Sequence, residues 1–140
     1  NLFVAGFIGS PQMNFLDATV KVSGKDVDLI VGQYKLRLPA EKAKALIDGG
    51  YDGKTVVMGI RPENVTDDAS VFPDSVVEAK INVYELLGAE VFLYFEVEGF
   101  NMTARVNPHT ASRQGDTVKF SLDMSKVHVF DKETEQVITN

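Results

Sequence analysis

Most of the chain alternates between apolar and polar residues at a period of two, the signature of half-buried strands. Leu16, Ala18, Val20 and Val22 share one face of a strand predicted over 15–22. A turn at Ser23-Gly24-Lys25-Asp26 leads to a strand over 27–31. Gly32-Gln33 then leads to one over 34–38, where Tyr34, Leu36 and Leu38 oppose Lys35 and Arg37. This is a meander of short hairpins. The period changes only over 39–47. Pro39 suits a first helical turn, Ala43, Leu46 and Ile47 form a helical stripe, and Gly49-Gly50 supplies the stop. A helix this short persists only by leaning on a sheet.

The strand pattern resumes over 54–61 through Val56, Val57, Met58 and Ile60, and Pro62 ends it. The stretch 64–74 is acidic and turn-rich, a surface connection. Val77, Ala79, Ile81 and Val83 alternate with Glu78, Lys80 and Asn82, which predicts one continuous strand over these residues. Over 90–98, Val91, Leu93, Phe95 and Val97 lie on one side. Further strands are expected over 100–106, 117–122, 126–130 and 135–138. The expectation is an all-β fold, a barrel or sandwich of nine or ten short strands with one short helix. The connection near 64–75 is the natural place for a division into two half-barrels.

Composition narrows the chemistry. The chain has 140 residues, enough for a real core, and carries 20 acidic against 14 basic residues for a net charge of -6. That balance argues against a nucleic-acid binder and against adhesion to an anionic membrane. With no cysteine, disulfide scaffolds, thiolate zinc sites and cysteine nucleophiles are excluded; two histidines leave little for a metal site. No run approaches the ~20 apolar residues that span a bilayer. The apolar opening over 1–16 lacks a basic leader and is broken by Gly6, Gly9, Ser10 and Pro11, so it is not a secretory signal. The start on Asn1 rather than Met reads as that of a piece cut from a longer chain.

Three local patterns invite a catalytic reading and fail it. Gly49-Gly50-Tyr51-Asp52-Gly53-Lys54-Thr55 looks like a phosphate loop, yet three residues separate Gly49 from Gly53 where that loop needs one more. A phosphate loop also opens a helix, whereas here a helix precedes and a strand follows. His109, Ser112 and Asp116 share one polar loop, but nearness in sequence does not orient a triad. Asp67-Asp68 lacks the spacing of a calcium loop. Arg61-Pro62-Glu63 places opposite charges at a strand end; a local ion pair and an interface role remain open alternatives there.

Three segments taken in order are specific: Phe3-Val4-Ala5-Gly6-Phe7-Ile8-Gly9-Ser10-Pro11 with Met13-Asn14-Phe15; Gly59-Ile60-Arg61-Pro62-Glu63; and Val83-Tyr84-Glu85-Leu86-Leu87-Gly88-Ala89-Glu90. Their order and spacing resemble the C-terminal regulatory domain of the ATPases of maltose and multiple-sugar ABC importers. The tail from Gly115 through Asp123, Lys126, His128, Phe130-Asp131 and Thr134 resembles the end of that domain. The resemblance implies OB-type barrels of the transport-associated kind. It implies a linker over 1–14 and a regulatory domain over 15–140. It also implies a non-catalytic role, with ATP and Mg2+ bound in a nucleotide-binding domain upstream.

The implied work is to hold two ATPase subunits together as a homodimer and, as in some family members, to receive regulatory proteins. The implied setting is cytoplasmic, at the inner face of the membrane through the transporter's membrane subunits. Dimer or interdomain candidates on these motifs are Phe7, Ser10, Pro11, Met13, Asn14, Arg61, Glu63, Glu85, Gly88 and Glu90. A competing reading is a small-ligand barrel for a sugar or an oxyanion, since related domains of oxyanion importers bind anions between subunits. The acidic charge and the lack of clustered Arg and Lys weigh against it. A nucleic-acid barrel could use Tyr84, Phe92 and Tyr94 for stacking, but the sequence shows no basic groove.

Overall fold

The structure, a computed structural model, describes residues 12–140. Strand β1 (Asn14–Ser23) turns at Gly24 into β2 (Asp26–Val31), which turns at Gly32 into β3 (Tyr34–Arg37). Both glycines have positive φ, +63 and +57, the left-handed region that these tight hairpins demand. Helix α1 (Ala40–Asp48) follows, then β4 (Thr55–Ile60) and a single 3-10 turn at Pro62–Asn64. The remaining strands are β5 (Val65–Thr66), β6 (Val76–Lys80), β7 (Val83–Leu87), β8 (Glu90–Val97), β9 (Phe100–Val106), β10 (Thr117–Leu122), β11 (His128–Asp131) and β12 (Val137–Thr139).

Three antiparallel sheets result. The first is six-stranded in the order β12-β11-β4-β1-β2-β3, the second is β5-β10-β6 and the third is β7-β8-β9. The first sheet takes strands from both ends of the chain, because β11 returns to pair with β4. The predominantly β architecture with one α-helix among the described residues agrees with the sequence expectation. One cluster of buried apolar residues runs from Leu16 and Leu29 through Met58, Leu93 and Phe120 to Val129 and so joins all three sheets. Phe95 of the third sheet stacks on Phe120 of the second, with ring centroids 3.9 Å apart.

Several expectations need correction. The strand expected over 77–83 is two strands in two sheets. Ile81 accepts from Gly115 N–H and donates its own N–H to Asp116, while Asn82 N–H turns to Tyr94 C=O, so the chain changes sheet at this point. Val83 consequently leaves the core face and is 46% exposed. The stretch 64–74 contains β5, which joins β10. Ile47 lies off the buried stripe of α1, where Lys42 joins Ala43 and Leu46. Lys42 can do this because its long stem covers apolar surface; burial pulls its ammonium pKa below the ordinary value.

Candidate functional site

The described parts of the three motif segments, Met13 to Phe15 for the first, meet in space around β9. Asn14 and Ile60 are partners in the β1–β4 ladder. The Asn14 side chain is buried and makes two hydrogen bonds with the backbone of Thr103 on β9: its amide donates to Thr103 C=O at 2.9 Å and its carbonyl accepts from Thr103 N–H at 2.7 Å. It thus behaves as a short strand segment that closes part of the β9 edge. Thr103 pairs with Tyr94 on β8, and Tyr94 pairs with Val83 on β7. A continuous row therefore runs Ile60, Asn14, Thr103, Tyr94, Val83 and links the first motif to the second and third.

Gly59 shows why a glycine belongs in the second motif. It lies on central β4, opposite Phe15 on one side and His128 on the other. A Cβ there would sit 2.6 Å from Met13 Sδ and 3.2 Å from Phe15 Cε1. Met13 is buried against this bare stretch of backbone. Arg61 is half-buried where β4 ends and Glu63 is exposed in the 3-10 turn; no ion pair joins the two.

The third motif forms the β7–β8 hairpin. Glu85 is half-buried and accepts a hydrogen bond from Tyr94 Oη at 2.8 Å. Burial, then the Glu85 hydrogen bond, pushes the Tyr94 phenol above its ordinary pKa. Gly88 makes the hairpin turn at φ +61, and Glu90 sits 3.7 Å from Arg105 in an exposed ion pair. Phe7, Ser10 and Pro11 lie outside the described residues. The sequence reading did not single out Thr103, which sits 89 residues from Asn14 in an ordinary strand pattern. Leu86 and Leu87, which the third motif carries, are 58% and 54% exposed. The apolar doublet that breaks the alternation at the end of the strand was the available signal of that exposure.

The catalytic look-alikes resolve into structural contacts. Asp52 Oδ1 accepts from Val22 N–H, and Gly53 N–H donates to Val20 C=O, so the phosphate-loop look-alike joins α1 to β4 while lying against β1. Ser112 donates to Asp67 at 2.8 Å, Asp116 accepts from Arg113 N–H, and the His109 backbone bonds Asn107; no triad assembles. Asp67 also accepts from Thr110, tying the 107–116 loop to the 64–75 connection. His128 Nδ1 lies 3.0 Å from Asn140 Oδ1.

A surface groove of about 300 Å3 is lined by Tyr51, Lys54, Thr55, Asp131, Lys132 and Glu133. Three of its polar groups are engaged with protein partners: Tyr51 donates to Asp131 at 2.7 Å, and Lys132 holds both oxygens of Asp17. Lys54 lies over the Tyr51 ring. Among the described residues no group of acidic or histidine side chains has the arrangement of a metal site. No helix of the described chain is long and apolar enough to cross a membrane.

Comparison with known proteins agrees with this geometry. Residues 9–65 match the MalK OB fold domain, and residues 58–130, more than half of the chain, match the TOBE domain. The chain is 41% identical to the oligosaccharides import ATP-binding protein MsmX of Bacillus subtilis, over 96% of this chain and 37% of that protein. It is 37% identical to the multiple sugar-binding transport ATP-binding protein MsmK of Streptococcus mutans, over 99% of this chain and 37% of that protein. It is 39% identical to the trehalose/maltose import ATP-binding protein MalK of Thermococcus litoralis, over 99% of this chain and 37% of that protein. The chain thus spans little more than a third of the curated relatives it matches. Among solved structures, the cytoplasmic molybdate-binding protein ModG superposes with a TM-score of 0.63, covering 88% of this chain and 97% of that one at 17% identity, a likeness of fold. The chain belongs to the TOBE domain family, with a MalK-type OB fold at its N-terminal side.

Proposed function

We propose that this chain is the non-catalytic C-terminal domain of the ATP-binding subunit of a carbohydrate ABC importer. The observation that carries this reading is the similarity of nearly the whole chain to sugar-import ATP-binding proteins at around 40% identity. ATP and Mg2+ bind in the nucleotide domain that precedes it. The domain holds two ATPase subunits together as a homodimer while their nucleotide domains open and close. A constant contact of this kind makes each closure effectively intramolecular and raises the local concentration of the partner domain. The setting is the cytoplasmic face of the membrane, through the importer's membrane subunits, and the domain receives regulatory proteins.

The Asn14 clamp supports the mechanical part of the reading. It fixes the chain at the start of β1 to the sheet that carries the third motif, so displacement of one is felt by the other. A chimera tests the proposal. The segment of Bacillus subtilis MsmX that matches this chain is replaced by residues 1–140, and oligosaccharide uptake is measured. Uptake by the chimera, with loss of uptake when the segment is deleted, is the expected result. Equal uptake by the deleted protein overturns it.

A further inference from the structure

The groove of about 300 Å3 beside Tyr51 lies between two connections, the link from α1 to β4 and the turn from β11 to β12. Its walls are fixed by hydrogen bonds within the chain. Tyr51 N–H donates to Leu46 C=O, Lys54 N–H donates to Tyr51 C=O, and the Tyr51 hydroxyl donates to Asp131 Oδ2. The other oxygen, Asp131 Oδ1, accepts from the N–H groups of Glu133 and Thr134 and so holds the turn. Lys132 is held by Asp17 on β1. A groove shaped before any ligand arrives loses little conformational freedom on binding.

Three further polar groups line it without such partners. Among the described residues, the Lys54 ammonium, the Thr55 hydroxyl and the Glu133 carboxylate join no hydrogen bond or ion pair with the protein. Lys54 is steered by the Tyr51 ring, 5.6 Å from its centroid. The larger hollow of about 430 Å3 between Gly24 and α1 is lined by Lys25, Ala40, Lys44 and Ile47 and offers no acidic acceptor.

The balance of charge selects the ligand. The lining carries two cations, Lys54 and Lys132, and two anions, Asp131 and Glu133. An anion drawn to Lys54 meets both carboxylates, and a cation drawn to Glu133 meets both ammoniums, so neither sign is favoured. A neutral compound with several hydroxyls suits the lining. Each hydroxyl donates and accepts, so one donates to Glu133, another accepts from Lys54, and Thr55 does either. Such a ligand exchanges water's hydrogen bonds for similar ones and brings no charge of its own to desolvate. A volume at the lower end of the range for small-molecule pockets restricts it to one or two sugar rings.

We infer that this groove binds a neutral saccharide of one or two rings through Glu133, Lys54 and Thr55, on a frame fixed by Tyr51, Asp131 and Lys132. The inference goes beyond the importer reading and stands on the lining alone, so either can fail without the other.

The test follows the backbone amide NMR shifts of the 140-residue chain as glucose, maltose, inorganic phosphate, putrescine or alanine is added. Glucose or maltose is expected to move the amides of 51–55 and 131–134 saturably, with a dissociation constant of about 1–10 mM, the strength of a few hydrogen bonds in an open groove. Phosphate, putrescine and alanine are expected to bind there at least about tenfold more weakly. Glu133→Ala and Lys54→Ala should each raise the sugar dissociation constant about tenfold, and Thr55→Val, which keeps a β-branched residue in the strand, about threefold. Lys35→Ala on β3 should leave it unchanged. Tighter binding of phosphate, putrescine or alanine than of either sugar overturns the class of ligand. The lack of a saturable shift with either sugar up to about 100 mM, well above the expected dissociation constant, overturns the site. Sugar shifts that all three groove variants leave unchanged overturn the assigned contacts. Native amide dispersion of each variant verifies the fold.

Discussion

β3 and β7 are both outer strands of antiparallel hairpin sheets, and they meet the same hazard in opposite ways. On β3, the outward positions are Lys35 and Arg37, and Arg37 is held by Asp28 at 2.7 Å with Asp26 at 3.4 Å. A desolvation cost therefore opposes any strand that approaches. On β7, Leu86 and Leu87 occupy the exposed positions and the only carboxylate is folded inward. The buried faces of the two sheets are alike, each a run of mainly aliphatic residues, joined by Phe95 on the third sheet, feeding one core. The difference lies at the rim. It teaches that burial pattern identifies the fold, while the chemistry of an unpaired edge separates a charged rim from an apolar one.

The comparison can be broken most forcefully at the shared core. Phe120→Ala removes the ring stacked on Phe95 and is expected to destabilise the chain by about 3–5 kcal/mol, read as a lower urea midpoint by both fluorescence and circular dichroism. A loss confined to one probe would show that the sheets do not share a core. Asn14→Ala, which leaves the Thr103 N–H and C=O without partners, is expected to cost about 1–3 kcal/mol. Asn14→Asp keeps the acceptor but sets a buried carboxylate oxygen against Thr103 C=O, so in the same melt at neutral pH it should cost at least as much as Asn14→Ala.

Smaller effects sharpen the contrast. Glu98 occupies a left-handed turn position at φ +50 between β8 and β9, where Asn is better suited, so Glu98→Asn should raise stability by about 0.5–1 kcal/mol. Leu86→Ser should change urea stability of the monomer by no more than about 0.5 kcal/mol, because its side chain contributes to a rim and not to the core. A larger loss would place Leu86 in the core and remove its contrast with Arg37. The weakest effect is expected in acid. Backbone N–H of Thr134 and the Tyr51 hydroxyl hold the Asp131 carboxyl below its usual range. A depressed carboxyl stabilises the fold above its unfolded pKa of about 3.9 and loses that effect as pH falls through the lower folded value. Asp131→Asn should therefore flatten the acid limb of a stability profile below about pH 4.

Much of the architecture was legible in the sequence because each strand pattern needs only neighbours two residues apart. β2, β3, β8 and β9 fall where alternation and glycine turns place them. The helix differs from expectation mainly in which face it buries: Ile47 turns outward and the stem of Lys42 inward. The 77–83 pattern misled because alternation reports that faces alternate, not which sheet receives them. Bonds from Ile81 to Gly115 and Asp116, far along the chain, decide the break. At the candidate site, the ordered motifs located Asn14, Glu85 and Gly88. They did not disclose that Asn14 grips Thr103, since no local pattern encodes a contact 89 residues away.

The sequence by itself determined the β class, the hairpin turns, the absence of thiol chemistry and the family resemblance, because composition and short-range periodicity express local conformational preference directly. Only the tertiary structure decided which edges are closed and which is open. Whether Glu85 guards β7 or folds back onto Tyr94, and whether Leu86 is core or rim, depends on strands brought together from distant parts of the chain. Edge exposure is a property of the assembled sheet, and an alternating pattern reads the same whether a neighbouring strand lies on one side or on both.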